Sequence, residues 1–215
     1  RVFQFLLAWA GAAAAQKGPL WWAGHHRNHH RHSDTEKDVH PPGVRGFYWA
    51  HVGWIMSPAN ARTRSELVPD LTRFRELEWL NRNHYVAPTS LAVGLFLFGT
   101  WLEAAQPELG TSGFQLLTVA FFLSTTILYH VTFAVNSIGH TVGRRRYETP
   151  DSSRNGFLLA MVTGGEGWHN NHHRYPTSER QGFYWWEIDV THYVVTLLSW
   201  IGLVWDVRGP STEVL

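Results

Sequence analysis

The sequence predicts an all-α integral membrane protein, in which a transmembrane hairpin supports a cytosolic helical cap that holds a histidine-rich site for two metal ions. Three observations predict this fold class. Two apolar segments, 86–105 and 114–138, are each long enough to cross a bilayer. The pattern H-x-x-H-H occurs once before and once after them. Arginines collect at the outer ends of the pair and not in the loop between.

Composition limits the classes of function that remain. A chain of 215 residues predicts one domain over 1–215, and a net charge of +1 gives no nucleic-acid footprint. The absence of cysteine excludes disulfides, thiolate metal sites and cysteine nucleophiles. Tryptophan occurs 12 times, which suits a membrane–water interface because the ring is buried there while its N–H stays hydrated.

The first 83 residues combine apolar helical segments with polar and aromatic stretches. Residues 2–15 are apolar but shorter than a full span, so they predict a core helix, a re-entrant segment or the end of a longer helix that stops at Gly18-Pro19. A second helix over 20–31 carries the first histidine cluster. The polar stretch 32–46 predicts a loop, and the aromatic stretch 47–55 predicts an interfacial segment. Residues 61–83 predict one amphipathic helix, either cytosolic or on the membrane surface.

The two apolar segments predict a transmembrane hairpin at about 86–138. The loop at 106–113 is short and contains no lysine or arginine. The flanking arginines are Arg73, Arg75 and Arg82 before the hairpin and Arg144, Arg145 and Arg146 after it. Both outer ends are therefore expected in the cytosol. The alternative is a buried helical hairpin in a soluble protein.

Each H-x-x-H-H cluster predicts a metal-binding helix face, because residues three and four apart lie on the same side of a helix. The members are His26, His29 and His30 in the first cluster, and His169, His172 and His173 in the second. Imidazole is a common ligand of iron, zinc and copper. Since a hairpin returns the chain to the side it left, both clusters can meet at one cytosolic face.

Further candidates follow the second span. Asn136 and His140 are predicted one helical turn apart on the same face, which makes His140 an additional ligand, whereas the deeper His130 is more typical of a packed residue. Glu166 either orients a ligand histidine or favours a helix N-terminus. Residues 182–205 predict an amphipathic helix lying on the membrane.

An imidazole cluster beside a membrane indicates oxygen-dependent oxidation of a lipid chain by non-haem iron. One alternative is a lipid, sterol or carotenoid hydroxylase, whose product is an alcohol and not an alkene. A second alternative is a non-catalytic membrane metal-binding or transport protein, which would place histidines or aspartates along a pore.

The combined motifs resemble those of the membrane fatty acyl desaturases of the stearoyl-CoA desaturase type. The motifs that carry the resemblance are HRNHH from His26, NSIGH from Asn136, GEGWHNNHH from Gly165, GFYWAHVGW from Gly46 and the WWEID…GLVWDVR segment near the C-terminus. H-x-x-H-H alone is shared with hydroxylases, but its combination with N-S-x-x-H and G-E-G-x-H-N-x-H-H is far more specific.

The resemblance implies a di-iron centre, with zinc able to replace iron in recombinant protein. It implies that O2 and two electrons from a cytochrome b5-type or ferredoxin-type donor convert a long-chain acyl group, as a CoA thioester, to its cis-Δ9 alkene. One iron would take His29, His140, His169 and His173, with Asn136 reaching it through water. The other would take His26, His30 and His172. The family's earlier H-x-x-x-x-H box and first two transmembrane helices would fall before Arg1, so an N-terminally truncated domain is expected.

Overall fold

A computed structural model describes residues 1–211, and the regular elements in that range are helical. We number the main helices α1 to α8. They are α1 (Val2–Ala12), α2 (Pro19–His32), α3 (Arg75–Arg82), α4 (Val86–Ala105), α5 (Gly113–Ser137), α6 (Phe157–Thr163), α7 (His169–Arg174) and α8 (Val190–Trp200). The chain forms two compact units, the first from Arg1–Arg27 and Arg62–His130, the second from Asn28–Ala61 and the chain from Val131 onward.

In the first unit, α1 is a packed helix whose apolar face contacts α3 and the start of α4. Its Ala12 forms a buried cluster with Leu80 and Ala87. Trp9 stacks on Trp79 with ring centroids 6.5 Å apart. The segment that was too short to span a bilayer is therefore held by burial of its apolar side chains, and it ends at Ala12, earlier than Gly18.

Helices α4 and α5 form the predicted hairpin, connected through a short turn at Pro107–Leu109. They approach closely at small residues, since a Cβ on Gly99 would lie 2.6 Å from the Ser112 carbonyl oxygen. Only 17% and 11% of their apolar windows are buried. A core hairpin of a soluble protein would bury most of these residues, so the exposed apolar faces support a membrane environment, and both helices are long enough to span it.

Two predicted helices are wrong in extent. Residues 61–83 break into short turns at Ser65–Leu67 and Pro69–Thr72 before α3, because Pro69 has no N–H to continue a helix and restricts the residue before it. The helix predicted over 182–205 is regular only over α8. The side chain of Asp189 caps that helix by accepting a hydrogen bond from the backbone N–H of His192 at 3.0 Å.

The second unit holds both histidine boxes, apart from His26, on short elements connected by loops. Isolated bridges pair Asn155 with Arg144 on one side and with Trp168 on the other, which draws the loop after α5 against the start of α7. Trp54 and Phe183 are fully buried here. Among the described residues of this unit, polar side chains are buried as well, and they surround the histidines.

Candidate metal centre

Three segments of the second unit bring the histidines together. The last turns of α2 carry His29, which is buried, and His30, which is partly exposed. α7 carries all three histidines of the second box. His140 lies in a turn beyond α5, which ends at Ser137, so the prediction that Asn136 and His140 share a helix face is wrong.

Four imidazoles converge through their Nε2 atoms. The Nε2 of His173 lies 3.3 Å from that of His29 and 3.1 Å from that of His169, and the Nε2 atoms of His140 and His169 are also 3.1 Å apart. The ligand atoms of the four side chains all lie within 4.8 Å of one another. Each of these residues except His173 is at most 3% exposed, so bulk water is excluded. We call this group the four-histidine set.

Three members of the set face an aspartate through the other ring nitrogen. His29 Nδ1 lies 3.0 Å from both carboxylate oxygens of Asp38. His140 Nδ1 lies 3.0 Å from Asp34 Oδ2. His173 Nδ1 lies 2.7 Å from Asp151 Oδ2. Because an ionised carboxylate can only accept, the Nδ1 atom that faces it must carry the proton and donate.

The protonated Nδ1 atoms fix the chemistry of the centre. A neutral imidazole with its proton on Nδ1 presents a lone pair at Nε2. The Nε2 atoms of His29, His140 and His173 therefore converge as acceptors, which repel one another unless a cation lies between them. Carboxylate-backed histidines of this kind are typical of metal sites in proteins. The residues present thus fit a metal ion.

Burial sets the pKa values around the centre. Desolvation, followed by the neighbouring imidazoles, holds the pKa of His29 and of His169 well below the ordinary value. Burial also raises the pKa of Asp38 to about 6. Burial opposes ionisation of Asp34 too, but hydrogen bonds from His140 and Ser152 keep its pKa at about 2. A lowered pKa favours the neutral imidazole, so His29 and His169 can bind a metal without first losing a proton.

The remaining box histidines form a second group beside the first. The Nε2 atoms of His30 and His172 are 2.9 Å apart. The His30 ring centroid lies 4.6 Å from that of His173, so the two groups adjoin. His26 lies one helical turn before His30 on α2 and is exposed. Its role as a ligand stays a prediction from the helical spacing.

The short helix α7 is positioned by the asparagines of its own H-N-N-H-H sequence. Asn155 Oδ1 accepts hydrogen bonds from the backbone N–H groups of Asn170 and Asn171 at 2.9 and 3.1 Å. Asn170 Oδ1 accepts from the backbone N–H groups of Arg146 and Tyr147 at 2.8 and 2.7 Å. A helix of six residues is too short to be stable alone, so these bonds determine where its histidines lie.

An ion pair between a buried carboxylate and a partly exposed guanidinium completes this support. Asn171 Oδ1 accepts from Arg146 and from Asn155, while its Nδ2 donates to Glu187 Oε2 at 3.0 Å. Glu187 also pairs with Arg146 at 2.5 Å, and its side chain is fully buried. Glu187 belongs to the W-W-E-I-D segment, which in the sequence contributed only to the family resemblance. This segment therefore stabilises α7, the helix that carries the second histidine box.

The roles predicted for two other site residues, Glu166 and Asn136, stay predictions. Glu166 is partly buried, its carboxyl group bonds to Gln181, and desolvation raises its pKa. Asn136 lies on the last turn of α5, and its Nδ2 has no hydrogen-bond partner among residues 1–211. Sequence reasoning missed Asp34, Asp38 and Asp151. For Asp34 and Asp38 the only signal was their place in the acidic loop directly after the first box, since ligand histidines usually have carboxylate partners.

Comparison with known proteins agrees with this centre. A family model described as fatty acid desaturase matches residues 1–204. The chain belongs to the fatty acid desaturase family. The resemblance predicted from the motifs is therefore confirmed, and with it the all-α membrane fold class, since this family is membrane-bound.

Individual members of the family match nearly the whole chain. The sn-2 palmitoyl-lipid 9-desaturase of a Nostoc strain is 36% identical over 93% of this chain and 67% of its own length. The acyl-CoA C20 Delta5-desaturase of Anemone leveillei is 34% identical over 98% of this chain and 64% of its own length. An sn-1 stearoyl-lipid 9-desaturase of Anabaena variabilis is 36% identical over 95% of this chain and 71% of its own length. The chain therefore spans about two thirds of the length of these relatives.

Proposed function

We propose that the protein containing this chain desaturates a long-chain fatty acyl group in a membrane, using O2 and a non-haem di-iron centre. The observation that carries the proposal is the four-histidine set, in which buried Nε2 atoms converge within 4.8 Å. Family membership supports the reaction class, because the relatives described above are named as acyl-CoA or lipid desaturases.

The residues divide into two groups of ligands. His29, His140, His169 and His173 would hold one iron, with Asn136 contributing through water. His26, His30 and His172 would contribute to the second. When bound, iron would activate O2, the oxidant that takes two hydrogens from an unactivated acyl chain and is reduced to water with two further electrons from the donor. Burial by the chain's own residues holds the pKa of His29 and His169 low and keeps bulk water from the buried set.

The substrate we propose is a long-chain acyl-CoA that receives a cis double bond at Δ9. Two of the relatives described above are 9-desaturases and one acts on acyl-CoA by name. The exposed apolar faces of α4 and α5 support a site that meets its substrate at a membrane. We propose that electrons come from a cytochrome b5-type or ferredoxin-type protein at the cytosolic face.

Expression of the protein in a desaturase-deficient host, followed by mass spectrometry of acyl chains, tests the proposal. We expect a new monounsaturated acyl chain, and the position of its double bond is read from the same spectra. His172→Ala is expected to abolish this product while the protein remains folded, because its ring lies 2.9 Å from that of His30. A hydroxylated chain would instead indicate the hydroxylase alternative, and full activity of the alanine variant would contradict the ligand assignment.

A further inference from the structure

We infer that Asp34, Asp38 and Asp151 are positioning residues of the four-histidine set, each orienting one ligand ring so that its Nε2 lone pair faces the metal. This inference rests on the proposed function, since it assigns roles at the same centre. It adds residues that lie outside the histidine boxes, in loops at 33–40 and 149–153. Each carboxylate lies within 3.0 Å of the Nδ1 atom of its histidine.

Each aspartate is itself held in place by other donors. Asp34 Oδ2 accepts from the backbone N–H and the hydroxyl of Ser152, both at 2.7 Å. Asp38 accepts from the backbone N–H groups of Asp34 and His40 at 2.9 and 3.3 Å. These bonds restrict rotation of the carboxylates, so the direction of the remaining lone pairs, and with it the plane of each imidazole, is determined by the loops.

Asp151 is held most completely. Its Oδ1 accepts from the Thr149 hydroxyl at 2.9 Å, from the Ser153 hydroxyl at 2.6 Å and from the Ser153 backbone N–H at 3.1 Å. Its Oδ2 is left for His173. The loop therefore binds one carboxylate oxygen of Asp151, and the His173 ring binds the other. This arrangement fixes the orientation of the carboxylate, and with it the orientation of the ring.

The charges of these aspartates point to a cation. In the described part of the chain, the ion-pair partner of each aspartate is a ligand histidine. The side chain of Asp38 is fully buried and that of Asp151 is 5% exposed. Buried carboxylates beside neutral imidazoles are unfavourable alone, but a cation bound at the Nε2 atoms offsets their charge through the ring.

His169 provides an internal contrast. Its Nδ1 is buried and has no hydrogen-bond partner among residues 1–211. Its ring instead packs against the rings of His140 and His173, with centroids 4.9 and 4.4 Å away. Three ligands are therefore oriented by carboxylates and the fourth by steric contact.

A cobalt titration of the purified chain in detergent tests the inference, with Co2+ binding followed by its visible absorption against a competing chelator. For Asp38→Asn, and separately for Asp34→Asn and Asp151→Asn, we expect the Kd for Co2+ to rise by roughly 10–100-fold. The metal-free melting midpoint of each variant is measured alongside its Kd, so that lost affinity can be compared with lost stability. Asp38→Glu should recover part of the affinity.

Asp70→Asn is the matched control, because Asp70 is half-exposed and pairs with Arg27. It should bind Co2+ like the parent chain. Parent-like affinity in all three aspartate variants would overturn the inference while leaving the proposed function intact. Loss of affinity only in proportion to lost metal-free stability would also overturn it. A folded parent chain that binds no Co2+ would overturn the proposed function, and the inference with it.

Discussion

At the scale of single residues, the centre depends on a glycine as well as on its ligands, because one position beside the histidines has no space for a side chain. The N-S-I-G-H motif contains Gly139 because a side chain there has no room. A Cβ at this position would lie 2.3 Å from the Val135 carbonyl oxygen and 3.1 Å from the His169 ring. The motif therefore provides one proposed ligand, His140, and leaves space for the ring of another, His169.

Gly139→Ala is expected to weaken metal binding roughly tenfold or more, because the His169 ring and the turn before His140 must shift. Overpacking at such a position also costs about 1–3 kcal/mol of stability. Co2+ titration and thermal unfolding measure the two effects. Gly94→Ala is the control, since nothing lies within 4 Å of its Cβ position. Equal behaviour of the two variants would contradict the steric account.

Glu166→Gln tests whether the ionised carboxyl group of Glu166 destabilises the folded chain. Burial raises the pKa of Glu166 in the folded state, so its ionised form opposes folding. The glutamine variant should therefore unfold at a higher temperature than the parent at pH 8. The difference should vanish by about pH 3, where the parent carboxyl is protonated in the folded and the unfolded state. Thermal scans at both pH values measure this, and a variant less stable at pH 8 would contradict it.

At the scale of elements, much of the hairpin could be predicted and the metal-binding helix could not. Residues 86–105 coincide with α4, and α5 begins one residue before the predicted 114 and ends one before 138. Apolar length alone specifies such helices. By contrast, α7 has only six residues, and side chains distant in sequence stabilise it, among them Asn155 and Glu187. Local sequence patterns contain no signal for those contacts.

Glu187→Gln should destabilise the chain by about 1.5–3 kcal/mol, because it removes the charge of a fully buried carboxylate that pairs with Arg146 and accepts a hydrogen bond from Asn171. Glu78→Gln makes the same chemical change in the exposed pair with Arg82, and should cost no more than about 0.5 kcal/mol. Denaturant unfolding of both variants measures the difference. Similar losses in the two would mean that the Arg146 pair does not support α7.

At the scale of the whole molecule, the arginine asymmetry predicts that both ends of the hairpin face the cytosol. Because the chain has no cysteine, single cysteines can report this directly. Ser112→Cys in the connecting loop should react with a membrane-impermeant maleimide only from the non-cytosolic side of sealed vesicles. Arg144→Cys, beyond α5, should react only from the cytosolic side. Labelling of both from one side would contradict the hairpin topology.

The histidine pattern predicted the candidate ligands, but not the aspartates behind them. H-x-x-H-H shows which side chains share a helix face. It does not show that Asp34 meets His140, 106 residues later in the chain, since that contact depends on how two loops fold. The acidic residues between 32 and 46 were visible in the sequence, yet nothing there distinguished Asp34 and Asp38 from the exposed Glu36.

Metal stoichiometry of the purified chain, measured by mass spectrometry after anaerobic loading with Fe2+ and gel filtration, tests the central claim most directly. The four-histidine set should retain at least one ion per folded chain. His173→Ala should lose that ion, because its Nε2 lies within 3.3 Å of those of His29 and His169. His130→Ala, on the exposed face of α5, should keep it. A folded parent chain without metal, or full retention by His173→Ala, would contradict the account.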